Sequence, residues 1–387
     1  MAGGCILWLV LTSPGSVPIP RRVRAVSGVG LRVSKMTKLV LWIARSNWMQ
    51  SLGGRTLDWL DDAVVMVDQT RLPESFDIIR ISTVPDLVAA IRRLSVRGAP
   101  AIGVAGAFGV ALAARNCGVG NSAFDDAVQM IRIARPTAVN LAKMVDRVAA
   151  AASRGPDAVL EEAFAVRDEE LAASKMMGIH GADLVTELSG SRSSYRVLTI
   201  CNTGGLASVE RGTALAVVQT LHERAVLEET IVLETRPLLQ GARLTTWELQ
   251  RMGAPNRLVV DGAGPYLISR GVVDAVLTGA DRIASNGDTA NKIGTFSLAL
   301  AARHADVPFI VVAPESTVDM ATPSGDNIEI EYRDGQEVVS IRGTKIAPKN
   351  TEAINPAFDL TPAGLITAIV TDKRVVRLDQ GESLSSD

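Results

Sequence analysis

From Arg55 onward, two periods of apolar and polar positions alternate along the chain. Thr56–Leu60 and Ala63–Val67 are short apolar-rich runs around Asp61-Asp62, the pattern of two strands joined by a polar turn. Thr83-Val84-Pro85-Asp86 is a helix start with a capping hydroxyl and an early proline, and Leu87, Ile91 and Leu94 then share one face. Between Ala99 and Arg115 a run dominated by Ala, Gly, Ile, Val and Leu predicts a buried helix whose small residues permit close helix–helix approach. Helical patterns continue over 122–134, 137–153 and 156–188. Residues 49–190 are therefore expected to form a smaller, mostly helical domain behind a short β-hairpin.

The texture changes at Ser189-Gly190-Ser191. Apolar runs of strand length, Arg196–Ile200, Thr230–Leu233, Leu258–Val260, Ala275–Leu277 and Phe309–Val312, alternate with helical stretches at Leu206–His222, Arg243–Met252 and Gly294–His304. Fully apolar strands alternating with helices predict an α/β fold over 191–380, a Rossmann-like parallel sheet covered by helices on both faces. In such sheets the working residues lie just beyond the carboxyl ends of the strands. Cys201-Asn202-Thr203-Gly204-Gly205, Glu234-Thr235-Arg236-Pro237, Asp261-Gly262 and Gly279-Ala280-Asp281 follow successive strands and should converge on one edge.

Residues 1–48 read differently. The apolar run Cys5–Leu11 is far short of the ~20 residues of a membrane span, and no clear signal-peptide cleavage site follows it. This stretch is expected to be a disordered extension or the product of a start assigned too far upstream, with Met36 and Met49 as alternative starts.

Composition narrows the function. With 40 Lys+Arg against 42 Asp+Glu the net charge is −2, so no basic field attracts a nucleic-acid backbone. The 5 Trp, 3 Tyr and 7 Phe are too few for a base-stacking platform. Neither nucleic acid nor membrane is an expected partner. Three cysteines and no CxxC pair exclude a disulfide framework or a zinc clip and point to a cytoplasmic protein. His180, His222 and His304 are far apart, so no metal site is expected. Walker, GxSxG and HExxH motifs are absent, and the glycines of Gly103–Gly109 do not follow a strand, so no nicotinamide cofactor is indicated.

Chemistry must then come from a lone thiol, carboxylates, cations and backbone dipoles. Cys201 ends a strand before two glycines and a predicted helix, whose N–H groups favour an anion or a thiolate. Asp281 also follows a strand, and in a pocket it suits proton transfer if burial raises its pKa. Asp288 reads as a turn or helix cap. Asn291 and Lys292 are expected at a helix N-terminus, as a phosphate grip. Arg97-Gly98-Ala99, at the mouth of the buried helix, and Arg135, between two helices, read as anion sites or as structural ion pairs.

These motifs together resemble the family of methylthioribose-1-phosphate isomerase, which also includes ribose-1,5-bisphosphate isomerase and regulatory subunits of a translation-initiation exchange factor. The resemblance runs from about Arg55 to Thr371. Asp68-Gln69-Thr70-Arg71-Leu72-Pro73, Arg97-Gly98-Ala99-Pro100, Ala134–Asn140 and Cys201-Asn202-Thr203-Gly204 carry it. So do Glu234-Thr235-Arg236-Pro237, Leu239–Thr245, Gly279–Ile283, Asn286-Gly287-Asp288, Ala290–Gly294, Asn355–Asp359 and Thr361-Pro362. It implies conversion of 5-methylthioribose 1-phosphate to the ribulose 1-phosphate in methionine salvage, with Cys201 and Asp281 catalytic. Substrate contacts are implied at Arg97, Gly98, Ala99, Arg135, Gln240, Asn291 and Lys292. No metal or organic cofactor is implied, and a homodimer is. The same resemblance leaves open another pentose 1-phosphate, such as 5-deoxyribose 1-phosphate or ribose 1,5-bisphosphate, and a non-catalytic regulatory subunit. Ile200, Gly205, Glu210-Arg211 and Asp261–Pro265 depart from the family pattern and are expected to line the pocket near C5.

Overall fold

The computed structural model describes residues 54–135, 139–190 and 192–385. The expected extension over residues 1–48 lies outside them, as do Pro136 and Thr137 beside Arg135. The described residues belong to one compact unit.

Strands β1 (Leu57–Leu60) and β2 (Ala63–Val67) form the expected hairpin, with Asp61 and Asp62 at φ 45° and 65° in its two-residue turn. Positive φ at both turn positions matches the right-handed twist of the flanking strands. A third strand, β3 (Ile78–Ile81), pairs with β2 and was not signalled by the pattern. Helix α1 (Val84–Arg92) is capped by Thr83, whose Oγ1 accepts the Asp86 N–H. Helix α2 (Ala99–Cys117) is buried at every position from Ala101 to Ala114. It is long and apolar enough to cross a membrane by length and composition alone, yet it is the core of the helical layer. Around it pack α3 (Ser122–Arg132), α4 (Val139–Ala150) and α5 (Pro156–Leu188). Gly106 shows why small residues are needed: a Cβ there would lie 2.5 Å from Leu141 Cδ1.

Next come β4 (Tyr195–Thr199), α6 (Ala214–Glu223), β5 (Leu227–Leu233), a π-helical turn at Gly241–Thr245 and α7 (Thr246–Met252). They are followed by β6 (Asn256–Val259), α8 (Ala263–Ser269) and β7 (Ala275–Thr278). Strands β8 (Arg282–Ala284) and β9 (Thr289–Lys292) form a hairpin ahead of α9 (Thr295–Ala305) and β10 (Phe309–Val312). The remainder holds β11 (Val318–Asp319), α10 (Gln336–Val339), β12 (Ser340–Ile341), β13 (Thr344–Lys345), β14 (Phe358–Thr361), β15 (Ala368–Val370) and β16 (Val375–Val376).

The main sheet runs β16-β15-β10-β7-β4-β5-β6, parallel throughout except for the edge strand β16. Strand order reverses at β4: the chain moves outward through β5 and β6, then returns to β7 on the other side. This is the doubly wound arrangement the apolar strands predicted, and its switch point lies between β4 and β7. Separate apolar cores fill its two faces.

The predicted helix over Leu206–His222 begins only at Ala214. Residues before it form an irregular loop that packs its apolar side chains against the helical layer, and Ala207 O accepts the Ala101 N–H at the start of α2. Gly98, at φ 92°, makes that approach possible, because a Cβ there would sit 2.3 Å from Ala207 O. A helix N-terminus therefore does not follow Cys201 directly. Asn291 and Lys292 are likewise on a strand, β9, rather than at a helix start. The first N–H groups of α9 are taken by Asp359, whose carboxylate accepts from Gly294 at 2.7 Å and from Phe296 at 3.2 Å.

Candidate active site

The loops after β4 and β7 bring Cys201 and Asp281 to the wall of one cavity of about 440 Å³, also lined by Arg97, Gly98, Arg135, Gln240 and Lys292. Ala99 lies on an adjoining cavity of about 530 Å³ that shares Gly98, Arg135 and Asp281 with the first. Asn291 lines neither of these. Its buried amide donates instead to Thr295 Oγ1 at 3.0 Å, ahead of α9.

Cys201 is held by its backbone. Its N–H donates to Thr235 Oγ1 at 2.8 Å, and its carbonyl accepts from Thr245 Oγ1 at 2.6 Å. Both Cys201 and Thr235 sit at φ 66°, a left-handed conformation that costs a non-glycine residue and persists where surrounding contacts enforce it. Asp261 supplies one such contact by accepting the N–H groups of Thr235 and Arg236, each at 2.7 Å.

The Asp281 side chain keeps accessible surface and has no hydrogen-bond partner among the described residues. Protein atoms crowd the carboxyl group on the sides away from the opening. Burial accordingly raises its pKa, while Lys292, Arg97 and Arg135 pull the other way. The result is a carboxyl group whose affinity for a proton is raised by burial and moderated by cations close enough to act on it electrostatically. Lys292 is buried, donates from Nζ to Ala357 O at 2.9 Å and stands 4.6 Å from the centre of the Phe358 ring. Arg135 lies 3.8 Å from Glu331, and burial lowers its pKa. Arg97 places its guanidinium on Asn202, with 2.9 Å to Oδ1 and 2.6 Å to the carbonyl oxygen. The buried Gln240 Oε1 has no hydrogen-bond partner among the described residues.

Several cavity residues escaped the sequence reading. Glu331, Arg333, Glu337 and Arg342 belong to a charge-rich stretch without hydrophobic periodicity. Gln69 joins them from the far end of the chain. The positions expected near C5 are elsewhere. Ile200 is in the apolar core, and a Cβ on Gly205 would meet Glu210 O at 2.1 Å, so that pair is fixed by packing. Arg211 pairs with Glu223, and Asp261 holds the β5 loop. Asp288 does not cap the helix that follows it; it accepts the N–H groups of Gly325 and Ala363, which open two distant 3-10 turns. Among the described residues no group of His, Cys, Asp and Glu is arranged to hold a metal.

A doubly wound sheet with a thiol and an acid at its switch point, ringed by cations, has the chemistry suited to a small anionic substrate. The initiation factor 2 subunit family model matches residues 95–377, and the chain belongs to that family. It is 49% identical over 325 residues to methylthioribose-1-phosphate isomerase of Anaeromyxobacter sp. (strain K), covering 84% of this chain and 94% of that one. It is also 49% identical over 332 residues to a probable bifunctional methylthioribose-1-phosphate isomerase/methylthioribulose-1-phosphate dehydratase of Nocardia farcinica. That match covers 85% of this chain but only 60% of the longer Nocardia protein. The crystal structure of 5-methylthioribose 1-phosphate isomerase from Pyrococcus horikoshii superposes with a TM-score of 0.77 at 39% identity, covering 84% of this chain and 92% of that one.

Proposed function

We propose that this protein is an aldose–ketose isomerase that converts 5-methylthioribose 1-phosphate to 5-methylthioribulose 1-phosphate in methionine salvage. The observation that carries the reading is the convergence of Cys201 and Asp281 on one cavity with Arg97, Arg135 and Lys292. The relatives' names supply the substrate.

Phosphate on C1 blocks spontaneous opening of the hemiacetal, so the ring must be opened with help. Asp281, whose pKa burial raises, donates a proton to the ring oxygen as the bond from C1 to that oxygen breaks and its electron pair passes to the oxygen. Cys201, acting as the thiolate, takes the C2 proton on Sγ, and the C–H pair becomes the C1=C2 double bond of an enol phosphate. The thiol then returns that proton to C1, and the C2 hydroxyl gives its own to the Asp281 carboxylate, leaving a ketone. Each group ends as it began. Arg97, Arg135 and Lys292 hold the phosphate and the developing charge in a partly enclosed site.

The adjoining cavity has an apolar side, Ile102, Val139, Ile328 and Ile330, that suits a methylthio group, and a charged side that includes Arg135, Lys143, Arg282 and Glu329. The reading extends to a cytoplasmic homodimer. Exposed Leu258, Val260 and Tyr266, at the β6 edge of the sheet and the start of α8, give a second copy apolar surface.

The test is a turnover assay across pentose 1-phosphates that differ at C5. The methylthio compound should give the highest kcat/KM. A higher value for ribose 1,5-bisphosphate would reassign the substrate. No turnover, and no thermal shift at saturating sugar phosphate, would favour a regulatory subunit.

A further inference from the structure

We propose that Glu248 is a positioning residue for this site, holding the Asn202 amide so that Asn202 can fix both the Arg97 guanidinium and the chain beside Cys201. The proposal rests on the isomerase reading for the identity of the substrate, though not for its geometry.

Donor and acceptor counting leads to Glu248. Arg97 has only donors, so the Asn202 atom facing it is Oδ1, and this fixes the orientation of the amide. The Asn202 NH2 then points away from the cation and needs acceptors. It finds Glu248 Oε1 at 2.6 Å and Thr245 Oγ1 at 3.3 Å. The Thr245 hydroxyl proton is committed to Cys201 O, so toward Asn202 that hydroxyl can only accept. The second Glu248 oxygen faces the Leu206 N–H at 3.4 Å. Both carboxylate oxygens thus meet donors, a setting that an acceptor-only group satisfies and an amide does not.

Helix α7 therefore grips the loop after β4 at two points one residue apart in that loop, through Thr245 at its leading edge and Glu248 one turn on. Space for this exists because residue 204 is glycine: a Cβ there would lie 2.4 Å from Glu248 Oε2. Burial pushes the Glu248 pKa up to about 7, while Asn202, the Leu206 and Gly205 N–H groups and Arg97 draw it down. The carboxylate is partly buried, and protein groups take both of its oxygens.

The experiment measures kcat, KM, melting temperature and the Kd of inorganic phosphate for Glu248→Gln, Asn202→Ala and the double variant. Glu248→Gln keeps the shape but has one acceptor for two donors, so its N–H must face either the Asn202 NH2 or the Leu206 N–H. KM and the phosphate Kd should each rise about tenfold, with kcat within about threefold of wild type, as loss of one hydrogen bond to a charged group predicts. Asn202→Ala should weaken phosphate binding at least as much, and adding Glu248→Gln to it should change Kd by less than about twofold, because the effect passes through Asn202. Arg97→Lys, which breaks the same chain at its far end, is a second background, and there too Glu248→Gln should add little.

Multiplying effects in both backgrounds, or an unchanged phosphate Kd for Glu248→Gln, would overturn the proposal. So would a fall in melting temperature and kcat at constant KM, the mark of a merely structural role. If wild type turns over no pentose phosphate while the phosphate constants behave as stated, the isomerase reading fails and the role of Glu248 stands.

Discussion

Helix α2 and the loop after β4 at the sheet's switch point both bury most of their residues, and both rely on small residues, for opposite reasons. In α2 the small residues are apolar and let helices touch, and the burial from Ala101 to Ala114 encloses backbone groups the helix itself satisfies. In the loops the buried residues are polar, Asn202, Thr203, Thr235 and Gln240, and the chain adopts φ values of 66°, 66° and 58° at Cys201, Thr235 and Leu239. Each such conformation costs about 1–3 kcal/mol, which the contacts of Asp261, Thr235 and Thr245 must offset. One region uses burial for stability and the other uses it to hold a reactive geometry. Substitutions should therefore separate: activity without stability in the loops, and the reverse in α2.

The largest effects belong to the loops. Cys201→Ala should lower kcat by ~10³-fold or more, with a melting temperature within a few degrees of wild type. Asp281→Asn should lower kcat by about 10²–10⁴-fold, the usual worth of a general acid. Its stability has a definite sign. Burial raises the folded pKa of Asp281, so the stability it contributes is fully present below its unfolded pKa and is lost as pH rises through the folded value. Asn cannot ionise, so Asp281→Asn should gain melting temperature relative to wild type as pH increases. A variant that stays active, or that loses stability at high pH, would break the contrast. For the wild type, kcat should fall as pH rises through the same ionisation, measured as a pH–rate profile.

This division explains what the sequence could and could not disclose. Strands buried on both faces are continuous apolar runs, so Phe309–Val312 is a strand at the expected bounds and the ends of β4 and β7 locate Cys201 and Asp281. Apolar content misleads where burial is irregular. Leu206 and Val209 are buried in a loop, and the pattern extended α6 back through them. The β8–β9 hairpin is short and polar and reads as a turn before a helix, which misplaced Asn291 and Lys292. β3 carries an exposed Arg80 in four residues, too little for alternation to register. Glu331, Arg333 and Glu337 reach the cavity by long-range folding that no local period encodes. Glu248 looks like any polar position on a short helix until Asn202 is placed beside it.

A smaller effect is expected in the helical layer. Gly106→Val gains helix propensity but drives side-chain atoms into Leu141 and Val145, whose nearest carbons lie 2.5 and 3.0 Å from a Cβ at that position. Overpacking should outweigh propensity by about 2 kcal/mol and lower the melting temperature by about 4–6 °C. With α2 displaced only slightly, KM and kcat of the folded fraction should stay within about twofold of wild type. A large loss of kcat would show that α2 sets the geometry of the site and that the two regions are not separable.

The smallest effect is expected at Arg211, the cation that a C5 phosphate would require if the departures from the family pattern marked that end of the substrate. Its guanidinium is paired instead with Glu223 at 2.9 and 2.7 Å and touches Thr220, and Arg211 lines neither the Cys201 cavity nor the one adjoining it. Glu223 is well exposed, so the pair adds at most about 1 kcal/mol. Arg211→Ala should therefore leave kcat/KM for the methylthio substrate unchanged and shift the melting temperature by no more than a few degrees. Assaying the same variant with ribose 1,5-bisphosphate sharpens the comparison. If Arg211 received a second phosphate, the variant would lose affinity for that compound selectively. If the substituent enters the chamber walled by Ile102, Val139, Ile328 and Ile330, neither substrate will register the change, and the charge at position 211 belongs to the surface of α6.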